Sequence, residues 1–333
     1  MKPRTLFLLL LTVMLLMGCG KTTQTATASK PQAQDVPEGF TAFTYPAGKY
    51  FEYETTWLRL PSAYKEEAEK KGTIEEVAYT TDVYGDGVTY EKHVLVYLPY
   101  GYDQNDKDTK YNVVYYEHGN GQNYKTVFTK EQFNQLDHMM ANGDIPRVII
   151  VFTTFYMIDG NQELAGDGKG GLPNLFYKEV TESILPVIET KYNTYLTGTT
   201  KEDFVATRDH RAFTGYSRGS GATWRMFHEA FEYFRYYAPM SAGISPEGGV
   251  VAYLEEPIKA NPDLPFFIYT CKGAAENPKD QAQIVEQLLT SEYFTYGYDK
   301  DTSNIAITIS NLDHSDRYVP YYFYHSLPVF FGK

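Results

Sequence analysis

From about residue 76 to the end of the chain, short apolar or alternating runs are separated by longer stretches of helical period. Strand patterns fall near 76–84, 92–98, 111–117, 147–153, 210–216, 236–240, 265–271 and 304–310. Helix patterns fall near 130–141, 176–191, 219–232, 280–291 and 319–327. Asn304–Ser310 alternates apolar and polar positions, whereas Leu264–Cys271 is apolar almost throughout, as in a strand covered on both faces. Strands alternating with helices predict an α/β fold with a mostly parallel central sheet flanked by helices. The first two strands have no helix between them, which predicts an antiparallel start. Upstream, Phe40–Lys71 reads as an N-terminal extension packed on the domain, with a helix over Ala63–Lys71.

The N-terminus has a different pattern. Lys2 and Arg4 precede an apolar run from Leu6 to Met17 that is too short to span a bilayer comfortably, so residues 1–18 read as a signal peptide. Leu16-Met17-Gly18-Cys19 has the form of a bacterial lipobox, in which Cys19 is lipidated; the alternative is a plain secretory signal with an incidental cysteine. Residues 19–38, rich in Thr, Ala, Gln and Pro, read as a flexible tether. A single domain then covers 39–333, with 39–75 as its extension. The expected location is the extracytoplasmic face of the cell membrane. Cys271, within a strand pattern, reads as a small buried hydrophobe.

Charge narrows the partners. The formal net charge is −12. It becomes −14 without Lys2 and Arg4, with 28 of the 30 basic residues left against 42 acidic ones. An acidic surface disfavours nucleic acid and anionic lipid, and suits a neutral polysaccharide or small ester. Membrane attachment would then rest on the lipid. The 31 Tyr and 20 Phe are mostly core and packing residues, with Tyr156, just past the strand Val148–Phe152, as the expected pocket wall. No cofactor or metal is implied. Glu117-His118 and Asp209-His210 are isolated pairs, and Asp167–Gly171 lacks phosphate-loop spacing.

The chemistry concentrates at Gly215-Tyr216-Ser217-Arg218-Gly219, a G-x-S-x-G between a strand pattern and a helix pattern. A Gly/Ser turn capping an ordinary helix would look similar. In a nucleophile elbow, however, the serine sits on a strained strand-to-helix turn, and the glycines remove Cβ atoms where strand and helix nearly touch. The partners then follow as acid and histidine. His314 lies just past the strand Asn304–Ser310, at the sheet edge that carries chemistry in open α/β folds, whereas His325 lies in an aromatic helical segment. Glu276 is the first carboxylate past the strand ending at Cys271, and Asp280 is the alternative acid at the start of a helix pattern, where the helix dipole favours a carboxylate. The amide of Arg218 and an amide of the His118-Gly119-Asn120-Gly121 loop, Asn120 or Gly121, are the expected oxyanion donors, with His118 structural.

Several stretches resemble the feruloyl and acetylxylan esterases of carbohydrate esterase family one, in the esterase-D-like branch of the α/β-hydrolases. They are Val94–Tyr102, the HG-x-G loop at His118, Leu136–Ile145, Val151–Tyr156, Arg208–Phe213 running into the elbow, Pro239–Ser241 and Leu327–Phe331. The likeness spans roughly residues 75 to 333. It implies Ser217 as nucleophile, His314 as base and the glycine-plus-three position of the Thr-x-x-Gly strand end, Glu276, as acid. Such esterases usually carry Asp at that position, Met at Arg218 and two glycines at Leu312-Asp313. The implied activity is hydrolysis of feruloyl or acetyl esters on xylan-type plant polysaccharide. Two alternatives stay open: a non-catalytic carbohydrate-binding lipoprotein on a hydrolase scaffold, and an acyltransferase with the same triad.

Overall fold

A computed structural model describes residues 55–56, 60–156, 175–274, 276, 281–310 and 312–332. The strands are β1 (Thr55–Thr56), β2 (Thr73–Thr81), β3 (Tyr90–Leu98), β4 (Asn112–Glu117), β5 (Val148–Thr153), β6 (Arg211–Tyr216), β7 (Tyr236–Met240), β8 (Phe267–Gly273) and β9 (Ile305–Ser310). They form one sheet in the order β1-β9-β8-β7-β6-β4-β5-β3-β2. β2 and β3 pair antiparallel from Thr73↔Leu98 to Thr81↔Tyr90, β3 pairs antiparallel with β5, and the remaining pairs are parallel. The predicted α/β class and antiparallel start are therefore the observed ones.

The helices are α1 (Lys130–Asn142), α2 (Phe176–Lys178) continuing through a π segment (Glu179–Ile184) into α3 (Leu185–Lys191), α4 (Lys201–Ala206), α5 (Arg218–Glu229), α6 (Val250–Ala260), α7 (Gln281–Leu288) and α8 (Val319–Phe331). Local chemistry sets some of their ends. The capping box of Thr129 and Gln132 starts α1, and Gly143, at φ 82°, lets the chain leave it. Period-2 alternation sends Val113 and Tyr115 of β4 into one core layer and Val114 and Tyr116 into the other. The first layer packs beneath α2, α3, α5, α6 and α7; the second packs beneath α1 and α8.

This order places a crevice where chemistry is expected. From β4 the chain passes to β5 on one side and later to β6 on the other, so the carboxyl ends of β4 and β6 flank a topological switch point. Ligands of open α/β sheets bind there.

The differences from expectation are local. The helix expected over Ala63–Lys71 is only a 3-10 turn, Ser62–Lys65, with Glu66 already extended. Asn134 donates to the Lys65 carbonyl at 2.9 Å, His138 reaches the Glu66 carbonyl at 3.1 Å, and Asp137 accepts the Gly72 N–H at 2.6 Å. Contacts with α1 thus take the place of helical bonds, and tertiary structure overrides propensity. The expected strand at 76–84 is shifted to Thr73–Thr81, and α5 stops at Glu229, short of the expected 232. Helix α6 was not expected: Gly248-Gly249 before it and Pro257 inside it read as breakers.

Candidate active site

Strand β6 turns into α5 at Ser217, whose backbone sits at φ 55° and ψ −111°. A side chain other than glycine at positive φ is strained, and here the strain holds a hydroxyl at the carboxyl edge of the sheet. The Ser217 N–H donates to the Met240 carbonyl at 2.8 Å, fixing the turn from β7. Both flanking glycines are sterically required. A Cβ on Gly219 would stand 2.1 Å from the Glu117 carbonyl oxygen, and one on Gly215 would stand 2.3 Å from the Gly219 carbonyl oxygen. The end of β4, the end of β6 and the start of α5 therefore meet at backbone contact.

His314 reaches this point from the loop after β9. Its Nε2 lies 2.9 Å from Ser217 Oγ, and its ring packs 5.1 Å from that of Tyr216. With Nε2 accepting from the hydroxyl, Nδ1 carries the proton and faces Glu276 Oε2 at 3.5 Å. Glu276 is buried; its Oε1 accepts the Gly273 N–H at 3.0 Å, while Oε2 has no hydrogen-bond partner. The separation is loose for a hydrogen bond, in keeping with catalytic contacts that close only on substrate binding. A Cβ at Gly273 would stand 2.1 Å from the Leu312 carbonyl oxygen, so the loop bearing His314 lies directly on the end of β8. Asp280 lies outside the described residues. His325 sits on α8, its Nε2 buried and unpartnered, with burial depressing its pKa to about 4.

The loop after β4 also packs against Ser217: a Cβ at Gly119 would lie 3.5 Å from the Cβ of Ser217. Each residue of this loop is held by a side chain. His118, fully buried, has Nδ1 2.7 Å from the Gly119 carbonyl and Nε2 2.7 Å from Thr154 Oγ1. The carbonyl can only accept, so Nδ1 is the protonated nitrogen and the ring is neutral, its pKa pushed down to about 4 by burial. The Gly119 N–H donates to Gln122 Oε1 at 3.2 Å, and the Gly121 N–H donates to the Tyr156 hydroxyl at 3.0 Å. Asn120 accepts from Arg218 through its side chain, Nη1 to Oδ1 at 3.3 Å.

This geometry revises two expectations. Of the two amides proposed for the oxyanion, that of Gly121 is engaged by Tyr156, so Asn120 offers the one that takes no partner among the described residues. Tyr156 is 2% exposed and packs on His118 and Phe155, which makes it a support beneath the loop in place of a pocket wall. Arg218 opens α5, where a helix leaves its first amides without intrahelical partners, and its guanidinium lies over the Phe155 ring. Residues that sequence reading missed are Gln122, Thr154 and the buried Lys92, Glu117 and Glu179. Glu117 accepts from Thr153 Oγ1 and from the amides of His118 and Phe155, and burial raises its pKa to about 8. Lys92 donates to the Thr154 carbonyl at 2.9 Å and pairs with Glu179, which the Tyr79 and Tyr84 hydroxyls also reach. A lysine in the alternating strand β3 signals a partner only after the fold brings the π segment beside it. Among the described residues no group of three or more His, Cys, Asp or Glu is placed to hold a metal ion.

A strained serine at the switch point, a histidine on its hydroxyl, a buried carboxylate behind the histidine and a glycine-rich loop beside the serine define the α/β-hydrolase class, with the arrangement of a serine-hydrolase site. The Esterase family model matches residues 88–288, and the chain belongs to this family. Within it the chain is similar to the feruloyl esterases of carbohydrate esterase family one. It is 30% identical over 299 residues to endo-1,4-beta-xylanase Y of Acetivibrio thermocellus, covering 85% of this chain and 25% of that protein. It is 27% identical to the endo-1,4-beta-xylanase/feruloyl esterase of Xylanibacter ruminicola, covering 68% of this chain and 28% of that one. The chain thus spans about a quarter of the length of the curated relatives it matches. Among solved structures, the feruloyl esterase module from Clostridium thermocellum complexed with sinapinate superposes with a TM-score of 0.68 at 29% identity, covering 85% of this chain and 96% of that one.

Proposed function

We propose that this protein is a serine carboxylic-ester hydrolase that removes feruloyl or acetyl groups from xylan-type polysaccharide. The observation that carries the reading is the line Ser217 Oγ, His314 Nε2, His314 Nδ1, Glu276 Oε2 at the switch point, beside a loop whose Asn120 amide takes no partner among the described residues. Ser217 attacks the ester carbonyl carbon while His314 takes its proton. The oxyanion of the tetrahedral intermediate faces the amides of Asn120 and Arg218. On collapse the C–O bond to the sugar breaks, and His314 returns the proton to the departing alkoxide. Water, deprotonated by His314, then releases the acid and restores Ser217. Buried Glu276 orients the imidazole and stabilises its charged form. The relatives' printed feruloyl esterase and xylanase descriptions support the choice of acyl group and polymer.

The lipobox at Cys19 supports a location on the extracytoplasmic face of the membrane, with the domain on a tether of residues 19–38. These segments lie outside the described residues.

The test is labelling with a fluorophosphonate, followed by assay on methyl ferulate, acetylated xylan and nitrophenyl acetate. Labelling should be confined to Ser217, and Ser217→Ala should lose roughly a thousandfold or more in turnover while keeping its fold. Near wild-type turnover in that variant would remove the assignment, and an unlabelled wild type would favour a binding-only role.

A further inference from the structure

We propose that the groove between the start of α1 and the segment following His314 is a subsite for the sugar chain that carries the ester, a neutral xylo-oligosaccharide. The proposal rests on the esterase reading and extends it to the leaving group. His314 must deliver its proton to the departing oxygen, so the alcohol portion has to lie on the His314 side of Ser217. Two residues past His314, the chain from Asp316 to Tyr321 forms one wall of a groove of about 390 Å³, within the range of ligand pockets. The opposite wall comes from Gln122 and the first turn of α1. Gln122 Nε2 donates to Asp316 Oδ2 at 2.8 Å while its Oε1 holds the Gly119 amide beside Ser217. The groove and the catalytic centre therefore share this bridge as a common border.

The lining suits a polyhydroxylated, uncharged chain. Tyr318 and Tyr321, both half-buried with rings 6.0 Å apart, offer apolar faces with polar tips. The charged lining residues balance, Lys65 and Arg317 against Glu131 and Asp316, and Lys65 pairs with Glu131 at 3.1 Å. A polyanion would find no net attraction there. Gln135 also lines the groove and is 1% exposed. Its Nε2 donates to the Pro320 carbonyl at 2.6 Å, which fixes the orientation of the amide, and its Oε1 is buried without a hydrogen-bond partner. An orphaned buried acceptor is costly and asks for a donor, which a sugar hydroxyl supplies.

The experiment compares kcat/KM of the full chain on a feruloylated xylo-oligosaccharide and on methyl ferulate, for wild type and Tyr321→Ala. Unesterified xylohexaose is titrated into each protein calorimetrically. Tyr321→Ala should lose about fivefold or more on the oligosaccharide ester, hold methyl ferulate turnover within about twofold, and bind xylohexaose correspondingly more weakly. Gln135→Met, which keeps the volume and removes the acceptor, should show the same split and serves if the tyrosine variant does not fold. Equal losses on both esters, or none on either, would overturn the subsite. A wild type inert toward every ester would refute the esterase reading instead. The xylohexaose titration would then still decide the groove: binding weakened by Tyr321→Ala supports it, and no binding overturns it.

Discussion

Individual backbone amides do much of the sorting in this site. Gly119, Asn120 and Gly121 are consecutive, yet Gln122 takes the first amide, Tyr156 takes the third, and the second takes no partner among the described residues. Removing the Tyr156 hydroxyl should loosen the loop without removing a reacting group. Tyr156→Phe is expected to lower kcat roughly three- to tenfold, the equivalent of about one neutral hydrogen bond, with a smaller change in KM. Steady-state kinetics on nitrophenyl acetate checks this, and an unchanged kcat would free Gly121 to be the donor. The acid is tested in the same way. Glu276→Gln should depress kcat strongly at nearly constant KM, whereas Asp280→Asn should cost a few tenths of a kcal/mol of stability and leave turnover intact. The reverse pattern would move the acid to Asp280.

Elements carry the titratable groups that the chemistry does not use. Helix α8 buries the Nε2 of His325 without a partner, and burial holds its pKa near 4, below the ordinary 6.5. The unfolded chain therefore takes up a proton before the folded one as pH falls, so the stability this residue contributes is complete above pH 6.5 and is lost as pH drops through 4. Buried Glu117 has the opposite sign: its contribution is complete below 4.5 and is lost as pH rises through about 8. The difference between His325→Leu and wild type isolates the histidine. Thermal melts from pH 7.5 to 4 should show the variant gaining on wild type by on the order of 2 kcal/mol at the acid end, with little difference at neutral pH. Parallel melting curves would place the His325 pKa near its ordinary value.

For the molecule as a whole, the sheet supplies a frame whose carboxyl edge is assembled from distant segments. Ser217 follows β6, His118–Gly121 follow β4, Glu276 follows β8 and His314 follows β9. The net charge of −12 opposes adhesion to an anionic bilayer, so the proposed surface location depends on Cys19. In cells fed labelled palmitate, the wild-type protein should incorporate label and fractionate with membranes, and Cys19→Ser should do neither. A chain starting near residue 36 should be soluble and as active as the full-length form. One acyl chain anchors only marginally, so stable retention requires the several chains of a bacterial lipoprotein. An unlabelled wild-type protein found wholly in the culture supernatant would leave a secreted protein with no anchor.

The order of residues by itself determined the strands, most of the helices and the elbow. Buried strands are written as local apolar runs, and Gly215 and Gly219 mark a backbone contact that no other residue tolerates. It also indicated the α/β class, because alternation of strand and helix leaves few ways to cover a sheet. The Ala63–Lys71 segment departs from its helical pattern because that propensity is local, while the Asn134, Asp137 and His138 side chains that draw it out of a helix come from α1. Only the tertiary structure decided which loop amide stays unengaged, since Gln122 and Tyr156 take its two neighbours. The same holds for the Lys92–Glu179 pair and for the groove lined by Gln135, which depend on side chains from elements far apart in sequence. Periodicity records which face of an element is buried; the partner that meets a buried polar atom is set by packing, which no local pattern encodes.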